Sequence, residues 1–270
     1  RRAWALAGGP RARPAGGRGA AGMAERKRRR TEGEGPAAPA REAPGGEPPS
    51  PQPACDDAEV LLRRLAKFSP RLERLTPDGR SWIVHVAGYW PAPSREEFDR
   101  QWQEHPADKR PLRLFGKTYY ENRYSQGFGF SYTYSGQTAT PAPIDGFLAE
   151  LLERFNAIVR DVSVPLNGCL TNWYEPEHHI ASHADDERDL VAEAPIVSLS
   201  WGATRRFLLK PKPSRTGRRL ELLLSDGDVV IMGGTCQQTH KHEIPRRRKT
   251  LDDFPEGRRI SWTLRSFVEK

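Results

Sequence analysis

From Leu166 onward the chain is written as short strand-like segments separated by Gly- and Asp-containing turns. The segments are 166–174, 195–201, 205–210, 219–224, 228–232 and 259–267, and Ser225-Asp226-Gly227 marks a hairpin turn. The sequence offers no helix between them. A succession of short strands must bury one face of each against a second sheet, which restricts this half to a β-sandwich or jelly roll. No internal repeat is present.

The preceding half reads differently. Asp56 and Asp57 offer an N-cap to a helix carrying Val60, Leu61, Leu62 and Leu65. Trp82 to Val86 reads as a strand. Ser94-Arg95-Glu96-Glu97 is a capping-box pattern, followed by Phe98 and Trp102 on one helical face. A basic-apolar stretch, Arg110 to Lys117, turns on Gly116. Phe128, Phe130, Tyr132 and Tyr134 alternate, which predicts four rings on one face of a single strand; the tyrosines, with hydroxyls to satisfy, suit the edge of a pocket. Phe147, Leu148, Leu151, Leu152, Phe155 and Ile158 repeat at helical spacing over 144–160 and form a core-facing stripe.

Residues 1–55 are rich in Gly, Pro, Ala, Arg and Glu, with almost no large apolar residue after Leu6, and read as a disordered basic tail. The formal charge of the 270-residue chain is +8, and this tail carries most of it, with eleven Arg or Lys against five Glu. Its block Arg26 to Arg30 reads as a nuclear localisation signal, and Met23 as a plausible start. Three scattered cysteines, Cys55, Cys169 and Cys236, fit neither a disulfide framework nor a thiolate zinc site, and suit a reducing compartment. No apolar run is long enough to span a bilayer.

The chemistry concentrates in residues 172–187. In His183-Ala184-Asp185, extended backbone would put an imidazole and a carboxylate on one face, able to close on one ion. The third ligand of a 2-His-1-carboxylate triad would come from Thr239-His240-Lys241-His242, where spacing cannot choose between His240 and His242. Asn172 and Tyr174 share a face. So do Arg259, Ser261, Thr263 and Arg265, opposite Ile260, Trp262 and Leu264, and paired guanidinium forks on one face suit a dicarboxylate. Two basic clusters, Lys210, Lys212, Arg215, Arg218 and Arg219, and Arg246 to Lys249, taken alone read as solvated loop charge, and beside a nucleic-acid site they would contact phosphates.

Taken in order, Asn172-x-Tyr174, His183-x-Asp185, Pro195 to Gly202, Gly227 to Gly233, His242-x-x-Pro245 and Arg259-x-x-x-Thr263-x-Arg265 resemble the AlkB family of Fe(II)- and 2-oxoglutarate-dependent nucleic-acid dealkylases. The resemblance covers residues 80–268. It implies an α+β fold with a mainly β core, a double-stranded β-helix or jelly roll over 166–268, behind an N-terminal α/β nucleotide-recognition lid with supporting helices over about 80–165. The whole of 56–270 would be the catalytic domain. It implies that His183, Asp185 and His242 hold Fe(2+), and that Asn172, Tyr174, Arg259, Thr263 and Arg265 contact 2-oxoglutarate, with O2 as co-substrate. Ser261 stands where the family usually has Asn.

Leu114-Phe115-Gly116-Lys117 is similar to the finger hairpin of the duplex-DNA repair branch, and Tyr132 and Tyr134 to its lid. Asp186 and Glu187 fall where the family reads the exocyclic amino group of the extruded base. The resemblance thus implies a monomeric nuclear enzyme that demethylates 1-methyladenine and 3-methylcytosine in double-stranded DNA. The alternatives are a related oxygenase acting on single-stranded DNA, RNA, protein or a small molecule, a silent nucleic-acid-binding module, and a zinc hydrolase. The hydrolase would leave the two arginines unexplained, and an intact triad argues against the silent module.

Overall fold

The computed structural model describes residues 56–114, 116–130, 132–134, 137–139, 141–246 and 256–268. These all fall within one unit, Pro51–Lys270. The expected disordered tail, its basic block, Phe115, Arg247 to Lys249 and the side chains of Tyr132 and Tyr134 lie outside the described residues.

The chain opens with α1 (Asp57–Arg64), β1 (Arg71–Arg74), β2 (Ser81–Val86) and α2 (Arg95–Gln103). The Asp56 side chain accepts from Ala58 N at the head of α1. Ser94 and Glu97 form the complete capping box of α2, an arrangement whose hydroxyl alone contributes about 1 kcal/mol. Then come a hairpin, β3 (Pro111–Leu114) with β4 (Lys117–Tyr120), the strand β5 (Tyr124–Phe128), and a second hairpin, β6 (Tyr132–Tyr134) with β7 (Gln137–Ala139). Helix α3 (Gly146–Val159) leads into the β-rich half. That half comprises β8 (Gly168–Tyr174), β9 (Ile180–His183), β10 (Ile196–Gly202), β11 (Arg205–Pro211), β12 (Leu220–Leu224), β13 (Val229–Gly234), the short α4 (Cys236–Thr239), β14 (His240–Ile244) and β15 (Arg259–Arg265).

The strands build two antiparallel sheets. Seven order as β1-β2-β13-β10-β15-β8-β5 and four as β12-β11-β14-β9, a jelly roll. Alternation explains how the larger sheet serves two cores. Outward residues Val84, Val197, Leu199, Trp262, Leu264 and Trp173 pack with Leu61, Phe98, Leu151 and Phe155 of the helices. Inward residues Ile83, Tyr174, Ile196, Val230 and Met232 pack with Phe207, Leu209, Leu222 and Ile244 of the smaller sheet. The helices therefore shield one face, and the other is free to build a site between the sheets. Trp173 also donates its indole N–H to Gln101 O at 2.9 Å, pinning α2 to β8. Cys169 and Cys236 are buried free thiols.

Two sequence expectations need correction. The aromatic run is not one strand. Gly129 takes φ +77°, and a Cβ there would lie 2.6 Å from Asn167 O and 2.3 Å from Ile144 Cδ1. The chain turns at this point, so Phe128 stays in β5 while Phe130 stacks on Phe267 at 4.5 Å, and Tyr132 and Tyr134 belong to a separate hairpin. The β-rich half also contains a helix after all. The single turn Cys236–Thr239 is too short to show a helical period, which is why the sequence hid it. Gly129→Ala should lower stability by about 1–3 kcal/mol, through overpacking added to left-handed strain, and thermal denaturation would read the loss as a reduced Tm.

Candidate metal centre and dicarboxylate pocket

The pairing of β9 with β14 assembles the centre. His183, the last residue of β9, is the Cα partner of His242 on β14, and their ring centroids lie 4.2 Å apart. Asp185 follows two residues later, its backbone N–H donated to Gln237 Oε1 at 2.9 Å, so α4 fixes the turn. The ligand atoms of His183, Asp185 and His242 all lie within 4.8 Å of one another. His240, the other candidate, is buried elsewhere. Its Nδ1 lies 2.8 Å from Thr239 Oγ1 and its Nε2 3.2 Å from Arg218 O. Tertiary packing thus makes the choice that spacing could not.

The donor set fits a cation. His183 Nδ1 sits 2.9 Å from Ala181 O, and a carbonyl can only accept, so Nδ1 carries the proton in the neutral ring. The bare Nε2 then faces Asp185 Oδ1 at 3.6 Å, two electron-rich atoms that a positive ion between them would satisfy. Burial pushes His242 down to about 3, helped by His183 and opposed by Asp185, so its imidazole is neutral near pH 7. Burial also works against the Asp185 carboxylate, but Arg265, His242 and His183 outweigh it and hold the group at about 2. These are the protonation states a metal ligand needs.

Around the triad, one cavity is lined by Asn172, Tyr174, Arg259, Ser261, Thr263 and Arg265 as well as the three ligands. The two arginines differ in employment. Arg265 is engaged by Asp185, Nη2 to Oδ2 at 2.9 Å, so it braces an iron-ligand candidate directly. Arg259 is 2% exposed and stacks over Tyr174, its Cα partner across the β15–β8 pair. Its Nη2 donates to Ser200 Oγ at 2.8 Å, while Nε and Nη1 have no hydrogen-bond partner among the described residues. Burial lowers its pKa, with Tyr174 acting the other way. A buried guanidinium with two unspent donors is costly unless an anion completes it, and a carboxylate matches that fork.

The substrate-side candidates are spread more widely. Gly116, at φ +75°, makes the β3–β4 turn, and Lys117 begins the exposed strand β4. Asp186 is paired with Lys212 at 2.9 Å, and Glu187 lines a neighbouring hollow with Asp185 and Arg265. The basic cluster is partly spent on internal partners. Lys210 meets Glu243 at 2.7 Å and Arg218 meets Glu73, whereas Arg215 and Arg219 are exposed. Arg246 lies 3.4 Å from Glu177.

Sequence reasoning missed Glu121, Arg123 and Ser125. They occupy alternate positions and are all buried beside the centre. The polar period of two was the available signal, and the surrounding aromatics obscured it.

The profile of the 2OG-Fe(II) oxygenase superfamily matches residues 87–265. Over 168 residues the chain is 33% identical to DNA oxidative demethylase ALKBH2 of Mus musculus, covering 58% of this chain and 66% of that protein. It is 31% identical over 167 residues to the Bos taurus ALKBH2, covering 58% and 57%. It is also 32% identical over 158 residues to alpha-ketoglutarate-dependent dioxygenase alkB homolog 3 of Rattus norvegicus, covering 55% and 51%. The chain therefore spans between 51% and 66% of the length of these relatives. Replacing His242 with Ala should abolish Mn(II) binding measured by calorimetry, whereas His240→Ala should leave it intact and lower only the Tm.

Proposed function

The chain belongs to the 2OG-Fe(II) oxygenase superfamily, and we propose that within it this protein is an oxidative demethylase of 1-methyladenine and 3-methylcytosine in double-stranded DNA. The observation that carries the oxygenase chemistry is the meeting, in one cavity, of the His183–Asp185–His242 triad with the buried, half-satisfied Arg259. The named activity of the ALKBH2 relatives supports the choice of DNA.

Fe(II), held by His183, Asp185 and His242 together with 2-oxoglutarate, would supply the activation of O2 and the oxidation of the N-methyl carbon, with succinate, CO2 and formaldehyde as the products beside the restored base. The chain does the positioning. Arg259 offers its free donors to the distal carboxylate of the co-substrate, with Asn172, Tyr174 and Thr263 around it. Arg265 keeps Asp185 ionised and oriented. The apolar wall of Phe207, Leu224, Val230 and Met232 keeps water out of the same cavity.

The lesion must leave the stack to reach this centre, because its methyl group is inaccessible within a duplex. In this reading the nucleotide-recognition lid comes from residues 80–165, through the hairpins β3–β4 and β6–β7, while β2 and β5 of that stretch belong to the large sheet and α2 and α3 support it. Phe115, with its sequence neighbours Gly116 and Lys117, fills the gap left in the helix. Tyr132 and Tyr134 cover the base. Asp186 and Glu187 read its exocyclic amino group, and for Asp186 this means sharing or releasing Lys212. Arg215, Arg219 and the basic stretch after Pro245 contact phosphates. The protein works as a monomer in the nucleus, where Arg26 to Arg30 direct it. Among the described residues no helix is long and apolar enough to cross a membrane.

The test is incubation with Fe(II), 2-oxoglutarate and single- or double-stranded oligonucleotides carrying 1-methyladenine or 3-methylcytosine, with succinate and restored base measured. Turnover on duplex DNA is expected, abolished by Asp185→Ala. Arg259→Leu should raise the KM for 2-oxoglutarate at least tenfold, the scale of a charge-assisted contact of about 1.5–3 kcal/mol. No turnover on DNA or RNA would overturn the reading, and activity on single strands alone would remove the assignment of Phe115. Deleting 26–30 should exclude a tagged protein from the nucleus.

A further inference from the structure

We infer that Glu121, Arg123 and Ser125 form a buried relay that sets the orientation of the Asn172 amide, making Arg123 a positioning residue for the 2-oxoglutarate pocket. The inference rests on the functional reading above for the identity of the ligand and on the geometry for everything else.

Ser125 lies in β5, Glu121 and Arg123 lie in the bend that leads into it, and their mutual contacts bring the three side chains together. They are 5%, 8% and 7% exposed, an unusual depth for a carboxylate and a guanidinium at the start of an edge strand. β5 is paired with β8 in a register that sets Ser125 opposite Asn172, and β15 sets Ser261 on the other flank of the same residue. Asn172 thus sits in the middle of a polar row running across the sheet into the cavity.

Glu121 accepts from one side and Arg123 donates on the other. Ser125 Oγ donates to Glu121 Oε2 at 2.5 Å. Glu121 Oε1 lies 3.5 Å from Arg123 Nη2. Arg123 Nε donates to Asn172 Oδ1 at 2.5 Å. A guanidinium has only donors, so the amide atom facing Arg123 must be the oxygen. The Nδ2 end is what Asn172 can then offer to the cavity it lines. Without this constraint an Asn amide could turn either end inward, and an inward oxygen would repel a carboxylate. Glu121 in turn prevents Arg123 from swinging toward the ligands. Both residues also line a small cavity whose far wall is His183, Asp185 and Arg265, and a loose guanidinium there would compete for the Asp185 carboxylate.

A buried ion pair placed only for stability would be an expensive choice, since apolar residues of similar volume serve as well or better. Its connection to Asn172 gives the pair a second role. The relay acts on the ligand through Asn172 alone, so the effects of changing Arg123 and Asn172 must not add.

The experiment is calorimetric titration of 2-oxoglutarate into the anaerobic, Mn(II)-loaded full chain, with Mn(II) affinity and Tm recorded for each variant. Glu121→Gln combined with Arg123→Met removes both charges at once and leaves no lone buried ion. It should weaken 2-oxoglutarate binding about tenfold, in the range of one well-placed hydrogen bond, with Mn(II) affinity unchanged. In an Asn172→Ala background the same pair of changes should have no further effect. Arg123→Lys, which keeps a charged donor, should restore most of the affinity. Ser125→Ala removes one hydroxyl and is the milder probe should the double variant fail to fold, and it should weaken binding about threefold. An unchanged dissociation constant in the Arg123 or Ser125 variants overturns the relay, as does full additivity with Asn172→Ala. If the unaltered chain binds Mn(II) but not 2-oxoglutarate, the functional reading itself falls, and the relay with it.

Discussion

The buried ion pair between Asp185 and Arg265 ties the two sheets together at the one place where a metal centre needs them joined. Arg265 ends β15 in the large sheet, and Asp185 follows β9 of the small one. Without the guanidinium, burial would favour a neutral carboxyl at Asp185, a poor metal ligand. Without the carboxylate, Arg265 would lose the anion that faces it in a low-dielectric interior. Each residue makes the other tolerable, and together they close the end of the cavity that the triad occupies.

The neighbouring arginine shows the complementary arrangement. Arg259 lies six residues earlier on the same face of β15 and is equally buried, yet its fork is only partly used. One guanidinium is paired within the protein and the other keeps two donors unused among the described residues. Strand alternation puts both in the cavity, and what faces them decides which role each takes. Asp185 faces Arg265, while Tyr174 and Ser200 face Arg259 and leave two donors over. The polarity of the whole site follows: neutral imidazoles and an ionised carboxylate at one end, an unsatisfied cation at the other.

Much of the β-rich half was legible. β8, β10, β11, β12, β13 and β15 fall where hydrophobic patterning and turn residues put them, because β8, β10, β13 and β15 are pinned between two cores while β11 and β12 alternate between one core and solvent. The caps at Asp56 and Ser94 were equally readable, since capping is a local interaction. Less was visible where structure depends on a distant partner. β9 and β14 carry histidines and acids rather than an apolar stripe, and they are strands only because they pair with each other and with β11. The aromatic run misled because ring alternation outlasts the strand, and the break at Gly129 is imposed by Asn167 and Ile144, which are remote in sequence. Glu121, Arg123 and Ser125 were hidden for the opposite reason, since charged and hydroxyl residues on an edge strand ordinarily face water.

By itself, the sequence determined the fold class, the inventory of metal and carboxylate-binding groups, and their distribution over strands, because side-chain period and residue chemistry are local properties. Spacing left His240 and His242 open and the resemblance favoured His242; the tertiary structure sets it opposite His183 and makes His240 a hydrogen-bonded core residue. Only the structure divided the labour between Arg259 and Arg265, and only it revealed that Lys210, Lys212 and Arg218 of the five-residue basic cluster are paired internally. In each case the deciding quantity is what lies across the gap from a side chain. Sheet register sets that quantity, and register depends on strands that are far apart in the chain.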